Sequence, residues 1–455
     1  MSQKTGTVIT RFAPSPTGFF HIGSVRTALF NYAFARKNGG TMVLRIEDTD
    51  RERSKPEYED DIIATLQWLG IAYEGPYRQS ERTMVYRRYL TRLMEGGYAY
   101  ESVEEKGAVI RFKNPNKKVA FHDIIRGDIE FDTSDLKDFV IARSIESPLY
   151  HLAVVIDDYE MGVTHVIRGE DHISNTPRQI LIQEALGFFQ PLYAHLPLVL
   201  APDKSKLSKR NSKGIMIRAL DYRKAGFLPE AILNFSALLG WSPQEEGKEV
   251  FTLDEFVRLF DLSRIQKHGA QFNIDKLRWL NKEHMKKLSA DVICDGIKAH
   301  LNLHVKELPQ YSEERLAKSA QAIFERIEVF ADVEDLSRDG DLDYFFNAPR
   351  YVAPLKIISV QEEREKTGDT AQYLDKVISM LSSDNDPFTK ERIKELLWDY
   401  ATSVGRGNVL WPMRYALSGK DKSPDPFTLA EILGKEETLA RIRAAKEELK
   451  RISNF

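Results

Sequence analysis

The sequence predicts an α/β fold, a doubly wound parallel sheet of the Rossmann type, followed by a helical C-terminal region. A strand, a loop, a helix and a second strand follow one another before residue 50, and the same order returns after residue 160. Beyond about residue 287, apolar residues recur at helical spacing almost throughout. The 455 residues exceed the size of one ordinary core, so several domains are expected.

The first strand–helix–strand unit begins with residues 8–12, whose alternation predicts a strand, and a loop containing Gly18 follows. Helical spacing predicts a helix over 21–37, and the Asn-Gly-Gly after it favours a left-handed C-terminal cap. Residues 41–47 predict the next strand. The glycine loop and the helix N-terminus therefore lie at a sheet edge suited to anions.

The second unit has a predicted strand at 164–168, a helix at 177–186 ended by Gly187, and an apolar strand segment at 192–200. A basic loop, Lys-Leu-Ser-Lys-Arg at 206–210, follows it. Residues 75–154 lie between the units and include predicted strands at 108–112 and 139–142, so we interpret this segment as an insertion. The clearest helices after the loop are predicted at 229–239, 253–260, 275–280, 377–381, 390–400 and 436–452.

Composition excludes several classes of protein. With 42% hydrophobic and 29% charged residues the chain is typical of a globular protein, and its net charge of −3 shows no global nucleic-acid signature. Apolar stretches such as 192–201 fall short of the ~20 residues of a membrane span, and the N-terminus carries no apolar leader. We therefore expect a cytoplasmic protein without membrane spans.

Cysteine is nearly absent from the chain. Cys294 is the single cysteine, which rules out an intrachain disulfide and a cysteine-rich zinc site. The residue is interpreted as a small buried apolar side chain.

The first loop has the elements of a triphosphate site. Unpaired N–H groups and the helix dipole attract phosphate at the helix N-terminus. Gly18 and Gly23 allow close backbone approach, and His21 can donate to a phosphate oxygen as charge builds in the transition state. Taken alone, so short a motif favours the alternative, an ordinary loop with a solvated histidine, because short glycine motifs occur by chance.

The basic loop supplies three cations, Lys206, Lys209 and Arg210. A basic run is by itself usually a solvated surface loop. Because this one follows the last strand of the second unit, its lysines are expected at the same sheet edge as the glycine loop, where they can clamp departing phosphates.

These two motifs resemble the signature elements of class I aminoacyl-tRNA synthetases, and wider strings resemble the glutamyl branch of bacterial type over essentially the whole chain. The strings that carry the resemblance are RFAPSPTG at 11–18, HIGS at 21–24, RIEDTD at 45–50, GPYRQSER at 75–82, VIRGEDHISNTPR at 166–178 and KLSKR at 206–210.

The resemblance implies an enzyme that activates glutamate with ATP, accompanied by Mg²⁺, as glutamyl-adenylate and transfers it to the 3′ end of tRNA(Glu). A cytoplasmic monomer is implied. The implied domains are a Rossmann-like catalytic domain at 1–77 and 155–200, a shortened acceptor-binding insertion at 78–154, a loop and stem-contact domain at 201–288, and a helical anticodon-binding domain at 289–455.

The resemblance also implies residue roles. Catalysis falls to His21, Gly23, Lys206 and Lys209, and ATP binding to these four with Gly18, Leu207, Ser208 and Arg210. The glutamate and adenylate pocket comprises Arg11, Ala13, Ser15, Glu47, Tyr150, Arg168 and His172. Glu47 can hold the substrate ammonium, while Arg11 and Arg168 offer guanidinium forks for its two carboxylates. The alternative for Glu47 and Arg168 is a structural ion pair at a strand end.

Near the C-terminus, the string GNVLWPMRYALSG at 407–419 resembles the anticodon-binding domain of the family. Arg414 falls at a position that reads an anticodon base in relatives. The alternative is a solvated arginine on an amphipathic helix.

The chain departs from the family pattern at several points. Ser24 stands where the first motif often has histidine, and Leu207 where the second often has methionine. His151 and Val154 occupy positions where many relatives carry asparagine near the tyrosine. The segment after residue 101 is short and lacks cysteines, so a trimmed insertion without zinc is expected.

Three rival functions are considered. A glutaminyl-tRNA synthetase shares the architecture, but the string at 13–18 and Arg168 favour an acidic substrate. A tRNA-modifying paralogue would lack the C-terminal helical domain. A non-catalytic tRNA-binding scaffold would not need His21 and Lys206.

Overall fold

A computed structural model describes residues 6–105, 107–207, 215–351 and 367–453. The chain divides into two compact units, Met1–His284 and Met285–Phe455. Within the described residues, no helix is both long enough and apolar enough to cross a membrane.

The first unit contains the strands and nine helices of the described chain. The strands are β1 Ile9–Phe12, β2 Thr41–Ile46, β3 Glu74–Arg78, β4 Ala99–Glu104, β5 Gly107–Phe112, β6 Lys118–Asp123, β7 Gly127–Asp132, β8 Phe139–Ser144, β9 Ser147–Pro148, β10 His165–Gly169, β11 Leu192–Leu196, β12 Val199–Leu200 and β13 Ala270–Gln271. The helices are α1 Ile22–Lys37, α2 Pro56–Trp68, α3 Thr83–Glu95, α4 Tyr150–Glu160, α5 Thr176–Leu186, α6 Ala219–Lys224, α7 Pro229–Leu238, α8 Leu253–Leu259 and α9 Ile274–Met285.

Both predicted strand–helix–strand units are present. Strands β1, β2 and β3 pair in parallel, and so do β10 and β11. The N–H of Thr164 donates to the carbonyl of Ile9 at 2.9 Å, which places the start of β10 beside β1. The predicted doubly wound sheet is thereby confirmed.

The predicted helix ends are also confirmed. Gly39 after α1 and Gly187 after α5 have φ of 67° and 66°, the left-handed region that favours glycine. The apolar segment predicted at 192–200 is broken at Pro197 into β11 and β12, because proline cannot donate to a strand ladder.

Helix α1 is buried on most of its surface. Phe30 packs on Phe256 and Phe260, with ring centroids 6.0 and 4.9 Å apart, so α8 covers one side. The Asn31 amide donates to the carbonyl of Ile167 in β10 at 2.9 Å, and the Thr10 hydroxyl of β1 donates to the Asn31 carbonyl at 2.9 Å. The helix is therefore tied to both halves of the sheet.

The segment between the halves forms two antiparallel groups of strands, β4–β5–β8–β9 and the β6–β7 hairpin. At its end, β6 joins β11, with Asp123 paired to Tyr193. A core that includes Leu90, Phe112 and Ile141 unites this segment with helices α4 and α5. The segment is thus continuous with the second half of the sheet.

The second unit is helical throughout its described residues, as predicted. Its helices are α10 Ala290–His300, α11 Leu303–Lys306, α12 Glu313–Phe324, α13 Asp332–Arg338, α14 Asp343–Phe346, α15 Thr367–Ser383, α16 Lys390–Val404, α17 Arg406–Ser418, α18 Pro426–Leu433 and α19 Lys435–Ser453. Arg441 is buried among them, and it donates to the carbonyls of Tyr344 and Leu417, each at 2.7 Å.

Candidate active site

The loop between β1 and α1 is held by backbone hydrogen bonds to the chain after β2. The backbone N–H of Glu47 donates to the Pro14 carbonyl, and the backbone N–H of Lys55 donates to the Pro16 carbonyl, each at 3.0 Å. Ala13 is half-buried and Ser15 is exposed in this loop. The loop is thus fixed at both prolines, and Ser15 between them faces solvent.

His21 is the N-cap of α1. Its Nδ1 accepts a hydrogen bond from the N–H of Gly23 at 2.9 Å, so the proton of a neutral ring lies on Nε2, which can donate. A Cβ at Gly23 would stand 3.0 Å from that Nδ1, which explains the glycine. A Cβ at Gly18 would meet no described atom within 4 Å, so packing does not require that glycine.

The two signature loops converge. Leu207 donates to the Val199 carbonyl at 3.0 Å, and Val199 is also the side chain nearest Gly23 after His21. On the far side of the basic loop, Ile22 donates to the Ile217 carbonyl at 2.8 Å. The described ends of the basic loop, at Leu207 and Ile217, therefore lie beside the start of α1.

Lys206 is 59% exposed and lies 3.2 Å from an oxygen of Asp171. This pair connects the start of the basic loop to the turn after β10. The other predicted members of this loop, Ser208, Lys209 and Arg210, lie outside the described residues.

Asp61 of α2 supports the histidine loop. Its carboxylate accepts the N–H of Phe20 at 2.7 Å and the Nε of Arg218 at 2.6 Å. The Arg218 guanidinium also stacks 4.2 Å from the ring centroid of Phe19. The Asp61 carboxylate thus links Phe20, just before His21, to Arg218, which follows the basic loop.

A compact group of buried charges lies at the ends of β1 and β2. Arg45 is fully buried, with Nη1 2.7 Å from Asp158, Nη2 3.1 Å from Glu47 and Nε 3.8 Å from Asp157. Arg11 lies 3.3 Å from the same oxygen of Asp158. We call these five residues the arginine–carboxylate cluster. Each carboxylate in it faces a guanidinium, which limits the free-energy cost of burying the charges.

The cluster shifts the pKa values of two of its carboxylates in opposite directions. Burial raises the pKa of Glu47, and the Arg45 and Arg11 charges only partly offset this. Burial acts in the same direction on Asp158, but Arg45 and Arg11 outweigh it and lower the pKa. Asp158 is therefore held in its charged form. A cation placed beside Glu47 would stabilise the charged form of that carboxylate.

Arg168, at the end of β10, has only neutral hydrogen-bond partners. Its Nε donates to His195 Nε2 at 3.1 Å, and Nη2 donates to the Thr176 hydroxyl at 2.8 Å. The residue is 5% exposed, and its buried Nη1 has no hydrogen-bond partner among the described residues. A buried guanidinium nitrogen that lacks a hydrogen-bond acceptor is suited to binding an anionic ligand, to which it can donate.

Tyr150 and His172 lie beside this arginine. The Tyr150 hydroxyl is 3.0 Å from His172 Nδ1, and the Asn175 amide is 3.1 Å from the same nitrogen. Burial, followed by the charge of Arg168, lowers the pKa of His172 to about 4, so its ring is neutral at pH 7. Burial and then the charge of Glu47 raise the pKa of Tyr150, whereas the charge of Arg168 lowers it. The Tyr150 hydroxyl is therefore close enough to interact electrostatically with both Glu47 and Arg168.

Sequence reasoning missed Arg45, Asp157, Asp158, Asp123 and His195 as parts of the site. Each is a polar residue within a predominantly apolar segment, which is a signal that burial needs a partner. Asp157 also accepts Gln79 at 2.9 Å, Arg82 at 2.7 Å and Tyr86 at 2.8 Å, which gives the string at 75–82 a structural role.

In the helical unit, Arg414 lies on α17. Its guanidinium stacks 4.5 Å from the Trp411 ring centroid and donates to the carbonyl of Asp421 at 2.9 Å. A cavity of about 570 Å³, lined in part by Arg350, Tyr415 and Asp421, adjoins it.

Among the described residues, no group of three or more His, Cys, Asp or Glu side chains is arranged to hold a metal ion. Cys294 is half-buried, and burial raises the pKa of its thiol.

The chain matches two family descriptions. Residues 7–106 and 101–279 match "tRNA synthetases class I (E and Q), catalytic domain", and residues 294–446 match "Anticodon binding domain". Between them these matches cover most of the chain, in the order in which its two units occur.

Similar proteins carry more specific names. The chain is 39% identical to the glutamate–tRNA ligase of Aquifex aeolicus, over 97% of this chain and 99% of that protein. It is 38% identical to the glutamate–tRNA ligase of Thermodesulfovibrio yellowstonii, over 96% and 98%. Among solved structures, a glutamate–tRNA ligase of Elizabethkingia meningosepticum in complex with its amino acid matches with a TM-score of 0.83 and 34% identity, over 98% of this chain and 100% of that one. The chain belongs to the class I tRNA synthetases and, within that class, to the glutamate–tRNA ligase family.

Proposed function

We infer that this protein is an ATP-dependent ligase that attaches glutamate to tRNA(Glu) through a glutamyl-adenylate. The single observation that supports glutamate most strongly is Arg168, a buried cation whose Nη1 has no described partner and whose other contacts are neutral. A side-chain carboxylate would complete its hydrogen bonding and compensate its charge, whereas a glutamine amide would do only the first.

The same pocket can hold the other groups of the amino acid. Glu47 has a pKa raised chiefly by burial, so an ammonium placed beside it would stabilise its charged form. Arg11, Ala13, Ser15, Tyr150 and His172 complete the proposed pocket. His172 remains neutral at pH 7, so it adds polarity near Arg168 without repelling a cationic substrate.

ATP is proposed to bind where the two signature loops converge, with Gly18, Gly23 and Leu207 along the chain that approaches it. Attack of the glutamate carboxylate on the α-phosphorus expels pyrophosphate. His21 Nε2 donates to the phosphates while Lys206, Ser208, Lys209 and Arg210 stabilise the growing charge. Mg²⁺ arrives as part of the ATP complex, since it commonly binds through phosphates and retains waters.

Further proposals concern tRNA and the cellular setting. Residues 78–154 are proposed to contact the acceptor end, 201–288 the stem and 289–455 the anticodon, with the catalytic domain at 1–77 and 155–200. Arg414 is proposed to read an anticodon base, supported by its Trp411 stacking and the neighbouring cavity. We propose a cytoplasmic monomer that holds no zinc.

Aminoacylation of purified tRNA(Glu) and tRNA(Gln), each with labelled glutamate and labelled glutamine, tests the activity. We expect glutamate on tRNA(Glu) and no glutamine on either tRNA. Failure to glutamylate any tRNA would overturn the proposal. ATP–pyrophosphate exchange, measured with and without tRNA, then separates a catalytic enzyme from a non-catalytic tRNA-binding scaffold, which would give no exchange in either case.

A further inference from the structure

Two buried residues outside the proposed glutamate pocket, His195 and Asp123, extend from Arg168. His195, on β11, accepts the Arg168 Nε hydrogen bond at 3.1 Å through Nε2. Its Nδ1 lies 2.6 Å from Asp123 Oδ2, on β6. Both side chains are fully buried. The three residues form a continuous chain, which we call the Asp–His–Arg relay.

The relay fixes the tautomer of His195. An arginine Nε–H can only donate, so the Nε2 that faces it must be the unprotonated acceptor. The ring proton of a neutral His195 therefore lies on Nδ1 and is donated to Asp123. Burial lowers the pKa of His195, more than Asp123 raises it, which agrees with a neutral ring.

Asp123 is itself held rigidly. One of its oxygens accepts the N–H groups of Ile125 at 3.0 Å and Arg126 at 2.8 Å, and the other accepts the backbone N–H of His195 at 3.1 Å as well as its ring. Burial favours the neutral acid, but these hydrogen bonds outweigh it and lower the pKa of Asp123. The carboxylate is thus held in one orientation, and its hydrogen bond to Nδ1 fixes the orientation of the His195 ring.

We propose that Asp123 and His195 are positioning residues, which orient the Arg168 guanidinium so that Nη1 faces the side-chain carboxylate of the amino acid and thereby set glutamate selectivity. With Nε held by His195 and Nη2 by Thr176 at 2.8 Å, Nη1 is the nitrogen left for the ligand. The inference rests on the proposed role of Arg168, and it adds residues that the inserted segment contributes to the amino-acid pocket.

Asp123→Asn is the sharpest variant because it keeps the shape of the side chain. If the amide oxygen keeps the Ile125 and Arg126 bonds, its NH₂ group faces His195 Nδ1. The ring proton then moves to Nε2, where it opposes the Arg168 Nε–H, donor against donor. The Arg168 guanidinium then rotates, and its charge-assisted hydrogen bond to the side-chain carboxylate of glutamate weakens.

We expect Asp123→Asn to raise the KM for glutamate by about 10- to 100-fold, the scale of one hydrogen bond to a charged group. The KM for ATP should stay within about 2-fold, and the kcat/KM ratio of glutamate over glutamine should fall. Asp128→Asn is the matched control. It lies on the same hairpin and is 2.7 Å from His122, but both side chains are exposed and away from Arg168, so the KM for glutamate should stay unchanged.

A double-mutant cycle separates positioning from general support of the fold. In an Arg168→Ala background, Asp123→Asn should change glutamate kcat/KM by less than about 2-fold, because nothing is left to orient. An equal loss in both backgrounds would overturn the proposal and leave Asp123 purely structural. If the wild-type protein charges no tRNA with glutamate, the proposed function fails instead.

The native protein supplies a second measurement that does not depend on a variant folding well. Among its ten histidines, His195 should show ¹⁵N shifts of a neutral ring protonated on Nδ1, with its signals assigned by their loss in His195→Gln. A charged ring, or a proton on Nε2, would overturn the proposal.

Discussion

Arg45 and Arg168 are both buried near the ends of parallel strands, β2 in the first strand–helix–strand unit and β10 in the second, yet their surroundings are opposite. Arg45 faces three carboxylates; burial alone would lower its pKa, but these anions outweigh burial and raise it. Arg168 meets a neutral imidazole and a hydroxyl, and it keeps one nitrogen without a described partner. A buried arginine that forms ion pairs within the protein supports the fold, whereas one that forms none among the described residues is available to a ligand.

The largest expected effect tests the first half of this comparison. Arg45→Met should lower the free energy of unfolding by about 3–5 kcal/mol, because it leaves Asp157 and Asp158 with fewer compensating cations. Denaturant unfolding measures the change. Arg53→Met is the control, since Arg53 is 73% exposed and pairs only on the surface with Asp50, so it should change stability by less than about 1 kcal/mol. Similar losses in the two variants would contradict the role given to Arg45.

The second half is tested by Arg168→Ala. Glutamate kcat/KM should fall at least ~10²-fold, and glutamine, a poor substrate from the start, should lose much less. The free energy of unfolding should fall less than in Arg45→Met, because the removed side chain hydrogen-bonds only to neutral groups. Equal kinetic losses for both amino acids would make Arg168 structural, with Arg11 the next candidate for selectivity.

Acid should separate the two regions by the pH at which each weakens. Near Arg168, burial lowers the pKa values of His151 and His172 to about 4. Between pH 6.5 and 4 these two histidines are therefore protonated in the unfolded chain but largely neutral in the folded protein. The free energy of unfolding therefore decreases as the pH falls through that window, by about 2 kcal/mol per histidine at pH 5. Asp158, with its pKa lowered, loses its contribution only below its ordinary value of 3.8.

The measurement is the free energy of unfolding at several pH values from 7.5 to 5. His151→Gln should flatten the slope, since this side chain no longer titrates. An unchanged slope in the variant would show that His151 does not contribute.

Local patterns predicted much of the fold. The alternation in β1, the helical spacing of α1 and the glycines after α1 and α5 depend on neighbours in sequence, and the structure has them where expected. The convergence of the two loops followed from strand order, because parallel strands end at one edge.

The polar connections could not be predicted in the same way. Asp123 and His195 lie 72 residues apart, and only the pairing of β6 with β11 brings them together. Two of the three carboxylates that face Arg45, those of Asp157 and Asp158, likewise come from α4, more than a hundred residues away. The sequence signals that each polar residue needs a partner, but tertiary structure alone selects which one. Ser208, Lys209 and Arg210 remain predictions.

Helix α1, which starts at the proposed phosphate site, is also a central part of the core of its unit. Its middle is hydrogen-bonded to β1 and β10 through Asn31 and packs against Phe260 through Phe30, so we expect the amides of these middle turns to be shielded from local opening. Hydrogen exchange along α1 therefore follows the opening of the whole unit. If ATP binds at the start of α1 as proposed, unfolding of this core should abolish the site as a whole rather than in parts.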